Sequence, residues 1–87
     1  MTTRVILDRL EKLVRELAGS ARASGALDAS TPLRDGGLWL DSVALLELVV
    51  AVEREFRVDF EPSDLSDASL RTLGSLADVI ERRLAGR

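Results

Sequence analysis

Hydrophobic residues recur every three or four positions in three stretches of the chain, which is the spacing of one face of an α-helix. The pattern predicts helices over residues 4–18, 42–57 and 73–85. Thr2 or Thr3 can cap the first helix and Thr72 the last, while Gly19 is expected to stop the first. The apolar stripes predict a core of Ile6, Leu10, Leu13, Leu17, Leu45, Val49, Val52, Phe56, Leu73, Leu76 and Ile80.

Between the first two helices, residues 19–40 are rich in Ala, Ser, Gly and Asp and predict a long loop. Loops of this length are usually functional or held by buried anchors, so we expect Leu33 and Leu38 to enter the core. Pro62 suits the first turn of a short third helix over residues 63–68. No segment alternates convincingly between apolar and polar residues, and no internal repeat is found, so we predict an all-α helix bundle.

Composition narrows the possible functions of this small chain. It has 87 residues, 46% of them hydrophobic and 3% aromatic, with no cysteine and no histidine. We therefore expect one stand-alone domain over residues 1–87, without thiolate chemistry, imidazole bases or zinc–thiolate sites. A net charge of −3 disfavours nucleic acid and favours basic protein partners. No apolar run is long enough to cross a membrane, so we expect a cytoplasmic monomer that binds no membrane.

The second predicted helix carries more apolar side chains than one buried stripe needs. Val43, Leu46 and Val50 form a second stripe that either faces water or is buried in a helix enclosed on all sides. Acidity is concentrated in the same region, because residues 41–67 hold eight acids and two bases, whereas residues 1–40 hold five acids and six bases. An ordinary solvated face would explain the acids, but the combination favours a surface that recognises basic partners.

Ser42 follows Asp41 where the loop meets the second helix. Most serines in this position only cap the helix. As a nucleophile of its own Ser42 would be inert, because the chain lacks histidine and has no Gly-x-Ser-x-Gly motif around this serine. A helix N-terminus nevertheless favours a bound phosphate, so Ser42 is a candidate for modification by another enzyme.

Residues 35–48, Asp-Gly-Gly-Leu-Trp-Leu-Asp-Ser-Val-Ala-Leu-Leu-Glu-Leu, closely resemble the attachment segment of acyl carrier proteins, in which Asp-Ser and an aliphatic residue open the second helix. The resemblance covers essentially residues 5–84. It includes the preceding Thr-Pro-Leu, the Glu-Arg-Glu-Phe that ends the second helix, the Val-Asp-Phe after it, and the Thr-Leu-Gly-Ser-Leu that opens the last helix.

This resemblance implies a right-handed up-down four-helix bundle with a long loop after the first helix and a short third helix. It also implies that a phosphopantetheinyl transferase attaches 4′-phosphopantetheine from coenzyme A to Ser42, and that the protein carries acyl groups without catalysing a reaction. The thiol of the arm would hold the thioester in a chain that has no cysteine. The surface presented to the transferase, loading enzymes and synthases would consist of Asp41, Val43, Leu46, Glu47, Val50 and Glu53.

Three positions depart from the family pattern. Trp39 replaces a common glycine, Ala44 stands where many carriers have an acid, and Arg54 interrupts a run that is often acidic. We expect Trp39 to pack over one end of the bundle; alternatively it lines partner contacts or shields the base of the arm. The other two changes weaken the electrostatic match to generic fatty-acid enzymes and favour a dedicated pathway.

The leading hypothesis is an acyl carrier for polyketide, specialised fatty-acid or other secondary metabolism. A carrier loaded by an adenylating enzyme with an aminoacyl or peptidyl group would use Ser42 in the same way, although an Asp before the serine is more typical of acyl carriers. A third hypothesis is an acidic helical adaptor that is never modified. An autonomous hydrolase or metal enzyme has the least support, because no base, nucleophile pair or ligand cluster is recognisable.

Overall fold

In the computed structural model the backbone is described for residues 2–22 and 25–86, and the side chains for residues 2–17 and 25–86. The elements in chain order are α1 (Thr3–Arg22), α2 (Ser42–Phe56), a 3-10 turn (Pro62–Asp64) and α3 (Leu73–Ala85). The described part of the chain is all-helical and contains no strand. Of the four predicted helices, the short one over residues 63–68 is instead this single 3-10 turn. It ends because the backbone of Leu65, with φ −102° and ψ 47°, leaves the helical region.

The helix α1 packs against both α2 and α3 through an apolar stripe that repeats every four residues. Ile6, Leu10 and Val14 are all buried along this stripe. Thr2 caps the helix, since its Oγ1 accepts a hydrogen bond from the N–H of Val5 at 3.3 Å. The result is a long helix that supplies one wall of the core.

Two predictions about α1 are wrong. The helix continues through Gly19 to Arg22, because a glycine inside a helix costs only about 1 kcal/mol and does not by itself end it. Leu17 is 44% exposed, because it lies where α1 borders a surface groove beside α2 rather than the core. Leu13 is only partly buried, at the edge of the core. The other nine predicted core residues are buried.

The long loop before α2 is held by buried side chains. Leu33, Leu38 and Leu40 are each at most 5% exposed, which confirms the first two as anchors and adds a third. Gly37 allows the turn between them to close, because a Cβ there would lie 2.2 Å from the carbonyl oxygen of Pro32. The loop therefore has one defined path to the start of α2.

Backbone hydrogen bonds join this loop to the start of α3. They run from Leu33 N to Arg71 O at 3.0 Å, from Leu73 N to Thr31 O at 3.0 Å and from Gly74 N to Ala29 O at 2.8 Å. The start of α3 is itself closed by a reciprocal pair, in which Ser75 N donates to Thr72 Oγ1 and Thr72 N donates to Ser75 Oγ. Thr72 is confirmed as the cap of the last helix.

The 3-10 turn is tied to α3 by Asp64. Its carboxylate accepts hydrogen bonds from the N–H of Glu61 at 2.8 Å and from Nε of Arg83 at 2.6 Å. The backbone hydrogen bond from Glu61, followed by the bond and charge of Arg83, lowers the pKa of Asp64 below its ordinary value. No helix in the described residues is long and apolar enough to cross a membrane.

Candidate functional site

Asp41 and Ser42 have different positions at the start of α2: Asp41 caps the helix, and Ser42 is its first residue. The Oδ1 atom of Asp41 accepts a hydrogen bond from the N–H of Ala44 at 2.8 Å, and its backbone carbonyl accepts one from Leu45 at 2.9 Å. Asp41 has an extended backbone, with φ −82° and ψ 179°, and is the N-cap residue. Ser42 is the first residue of the helix itself, so the interpretation of Ser42 as the cap is wrong.

The Ser42 side chain is exposed, and its hydroxyl makes no hydrogen bond to any residue that the structure describes. The N–H groups of Ser42 and Val43 lie in the first turn and have no acceptor within the helix, whereas the N–H of Ala44 donates to the Asp41 carboxylate. These two donors and the positive end of the helix dipole would favour a phosphate ester on Ser42. The site therefore fits a group attached through phosphate.

Beyond Ser42, the helix α2 has two apolar faces with opposite surroundings. Leu45, Leu48, Val49, Val52 and Phe56 are buried. By contrast, Val43 is 66% exposed, Leu46 63% and Val50 43%. Of the two interpretations of the second stripe, the structure supports the one in which it faces water. We call Val43, Leu46 and Val50 the exposed strip.

The acids beside the exposed strip differ in their surroundings. Asp41 and Glu47 are exposed. Glu53 is partly buried, and its Oε2 accepts a hydrogen bond from the N–H of Phe60 at 3.0 Å, which ties the chain after α2 back to the helix. No sequence pattern indicates this bond, because it depends on how the chain turns at Arg57, a residue in the left-handed conformation with φ 55°.

Trp39, three residues before Ser42, is 63% exposed, so the prediction that it packs over one end of the bundle is wrong. Leu38 and Leu40 on either side are both buried, and this alternation directs Trp39 outward. Its backbone is in the left-handed region, with φ 55°, and its N–H donates to the carbonyl of Arg34 at 2.9 Å. A glycine adopts this conformation without strain, which gives a physical reason for the glycine common at this position in acyl carrier proteins.

Two surface depressions of about 430 Å³ each adjoin α2. The first is an apolar groove that is lined by Leu17 of α1, the exposed strip, Glu47, Ala51 and Arg54. The second is more polar and is lined by Pro32, Arg34, Asp35, Leu45, Asp67, Leu70 and Arg71. Among the described residues, no group of three or more Asp, Glu, His or Cys side chains could hold a metal ion.

Together these features define a class of protein: a small helical domain that presents a serine at the start of a helix, beside an apolar and acidic surface. The family model described as the phosphopantetheine attachment site matches residues 8–80 of the chain. The chain therefore belongs to this family of phosphopantetheine-carrying proteins, and the group it carries is covalently bound 4′-phosphopantetheine. A comparison with curated proteins found no match.

The match includes the whole segment between α1 and α2, all of α2, the segment after it, and most of α1 and α3. Domains of this family interact with phosphopantetheinyl transferases and with partner enzymes, and they are generally carriers rather than catalysts. The arm supplies a terminal thiol, on which acyl groups are held as thioesters. A chain without cysteine can therefore carry a thioester.

Proposed function

We propose that Ser42 carries the 4′-phosphopantetheine arm and that the protein holds acyl intermediates on it while they pass between enzymes. The observation that supports this assignment is the free hydroxyl at the first position of α2, with capping performed by Asp41. If the Ser42 hydroxyl capped the helix, attaching a group to its oxygen would disturb the capping hydrogen bond. Ser42 can be modified without changing how α2 begins.

In this proposal, each group at the start of α2 has one role. The Ser42 oxygen is the attachment atom, and the N–H groups of Ser42 and Val43 face the negative charge of the new phosphate ester. Asp41 holds the first turn of the helix in place through Ala44. No described side chain is hydrogen-bonded to Ser42 as a general base would be, so the base that removes the hydroxyl proton belongs to the transferase.

We further propose that partner enzymes bind the exposed strip together with the acids beside it. Val43, Leu46 and Val50 offer apolar contact area, while Asp41 and Glu47 attract basic side chains and raise association rates. Glu53 contributes negative charge at the far end, where one of its oxygens is already engaged by Phe60. The partners are the transferase, the enzyme that loads the arm, and the synthases or transferases that use the cargo.

The pathway that best fits these residues is polyketide, specialised fatty-acid or other secondary metabolism. Ala44 and Arg54 place fewer acids on α2 than a fatty-acid carrier often has, which favours dedicated partner enzymes. An aminoacyl carrier loaded by an adenylating enzyme is the second candidate, and the Asp41-Ser42 pair favours the acyl carrier over it. An unmodified adaptor would use the same acidic helix without the arm.

The assignment of Ser42 is tested by measuring intact mass after incubation with coenzyme A and a broad-specificity phosphopantetheinyl transferase. The wild-type protein should gain one phosphopantetheine, and Ser42→Ala should gain none. Ser63→Ala is the matched control, since Ser63 is also exposed and is the second residue of the 3-10 turn. It should gain the arm like the wild type.

Folding is checked separately, because a misfolded variant would also fail to react. Ser42→Ala removes a hydroxyl without a described partner, so its stability should stay within about 0.5 kcal/mol of the wild type. A mass gain that persists in folded Ser42→Ala would refute the assignment of Ser42 as the attachment residue. No gain on the folded wild type, with the transferase active on a control carrier, would favour the unmodified adaptor.

A further inference from the structure

Trp39 combines two unfavourable features in the domain without its arm. Its large apolar side chain is 63% exposed, and its backbone has φ 55°, a conformation that residues with a Cβ adopt at a cost. A costly backbone conformation so close to a functional residue motivates a functional hypothesis for the side chain it carries. Residue 39 lies only three positions before Ser42.

The chain geometry brings the indole within reach of whatever is attached to Ser42. Three residues span at most about 11 Å between Cα atoms, even when fully extended. Leu40 is buried between them, whereas Trp39, Asp41 and Ser42 are all exposed, so the indole and the hydroxyl lie on the outer surface of the same short segment. A phosphopantetheine arm on Ser42 begins at this outer surface, next to the segment that carries the indole.

The chemistry of the two groups is complementary. After its phosphate, the arm has a carbon that bears two methyl groups, followed by amides. An indole offers a flat apolar face to the methyl groups and one N–H donor to an amide carbonyl. The exposed strip, by contrast, extends from Val43 to Val50 along α2, away from Trp39 along the chain. A partner enzyme can therefore bind the strip while Trp39 contacts the arm.

We infer that Trp39 packs against the first part of the arm on Ser42 and so limits the directions in which the arm leaves the domain. Trp39 is then a positioning residue, and the ligand it contacts is the branched, amide-bearing chain of the prosthetic group. This inference rests on the proposed attachment to Ser42. It differs from the attachment itself, which needs only the hydroxyl and the start of α2.

Fluorescence provides a direct test, because Trp39 is the only tryptophan and the chain has no tyrosine. The apo and arm-loaded proteins are compared by acrylamide quenching, with loading confirmed by intact mass. Acrylamide is neutral, so the new phosphate charge does not itself change the access of the quencher. Covering one of the two faces of a planar ring hides about half of it, so the quenching constant should fall roughly two-fold on loading.

A matched control moves the reporter to α1, outside the exposed strip. The double variant Trp39→Gly, Val5→Trp carries its one tryptophan at an exposed position one turn before Arg9, which contacts Glu55 at the opposite end of α2 from Ser42. Loading should leave its quenching constant unchanged. In the loaded wild-type protein, nuclear Overhauser contacts should also connect the indole protons with the two methyl groups of the arm.

The outcomes separate this inference from the attachment on which it rests. No mass gain would overturn both. A mass gain without a change in quenching, or without indole-to-methyl contacts, would overturn the role of Trp39 and leave the attachment intact. An equal fall in both proteins would show a general change in the domain and would also refute the inference. If Trp39→Gly slowed loading while wild-type quenching stayed unchanged, the indole would contact the transferase instead of the arm.

Discussion

The left-handed backbone at residue 39 should reverse the usual stability order of alanine and glycine. Both Trp39→Ala and Trp39→Gly lose the indole, so their difference isolates the backbone. An alanine held at φ 55° costs roughly 1–2 kcal/mol, whereas glycine adopts this conformation freely. Glycine loses about 0.5–1 kcal/mol more conformational entropy on folding. The glycine variant should therefore be more stable than the alanine variant by about 1 kcal/mol.

Glu47 supplies the comparison, because it is exposed and lies inside α2 with an ordinary helical backbone. There glycine should be less stable than alanine by about 1 kcal/mol. The four variants are unfolded with urea in their apo forms and followed by circular dichroism, which gives the free energy of unfolding by linear extrapolation. In thermal melts of a domain of this size, about 1 kcal/mol corresponds to a change of roughly 4–8 °C in Tm. If alanine is at least as stable as glycine at residue 39, the argument from positive φ is refuted.

Three further predictions concern the loop, the 3-10 turn and the surface. Gly37→Ala should destabilise the fold by about 1–3 kcal/mol in thermal melts, because the new Cβ overlaps the Pro32 carbonyl, while Gly25→Ala, which meets open space, should not; equal effects would contradict this. Asp64→Asn should destabilise at neutral pH. Since the folded-state pKa of Asp64 is lowered, the difference from the wild type should shrink as pH falls below 3.8, and a pH-independent difference would exclude the ionic origin. Glu47→Lys should slow loading by a transferase more at low than at high salt, because exposed charges are screened; a salt-independent effect would refute electrostatic steering.

The three main helices were predictable from the sequence because their apolar stripes are regular. Thr72 was predictable as a cap because a hydroxyl residue directly precedes the last apolar stripe. Leu33 and Leu38 were predictable as anchors because a long polar loop contains few apolar residues that could hold it. The end of α1 and the exposure of Leu17 were not predictable, because a helix can continue through a glycine and because periodicity does not show that Leu17 borders a surface groove rather than the core.

The position of the proposed attachment residue was predictable, whereas the side-chain geometry around it was not. The position of Ser42 at the loop-to-helix boundary follows from local pattern, and its relation to phosphopantetheine follows from the resemblance around Asp41-Ser42. Which of these two residues caps the helix depends on side-chain geometry. The outward direction of Trp39 depends on the burial of both its neighbours, and the bond from Phe60 to Glu53 depends on the path of the chain after α2. None of these is a property of periodicity.

The two faces of α2 also determine which substitutions on this helix the fold tolerates. The side chains that hold the bundle together and the exposed strip are separate sets of residues on one helix, so substitutions in the strip should cost little stability. Under the proposed role of the strip in partner binding, exchanging Val43, Leu46, Glu47 and Val50 for the corresponding residues of another carrier would redirect the protein to new enzymes. Such redesign would leave the core untouched, because only the exposed strip would change while the buried face of α2 keeps its residues.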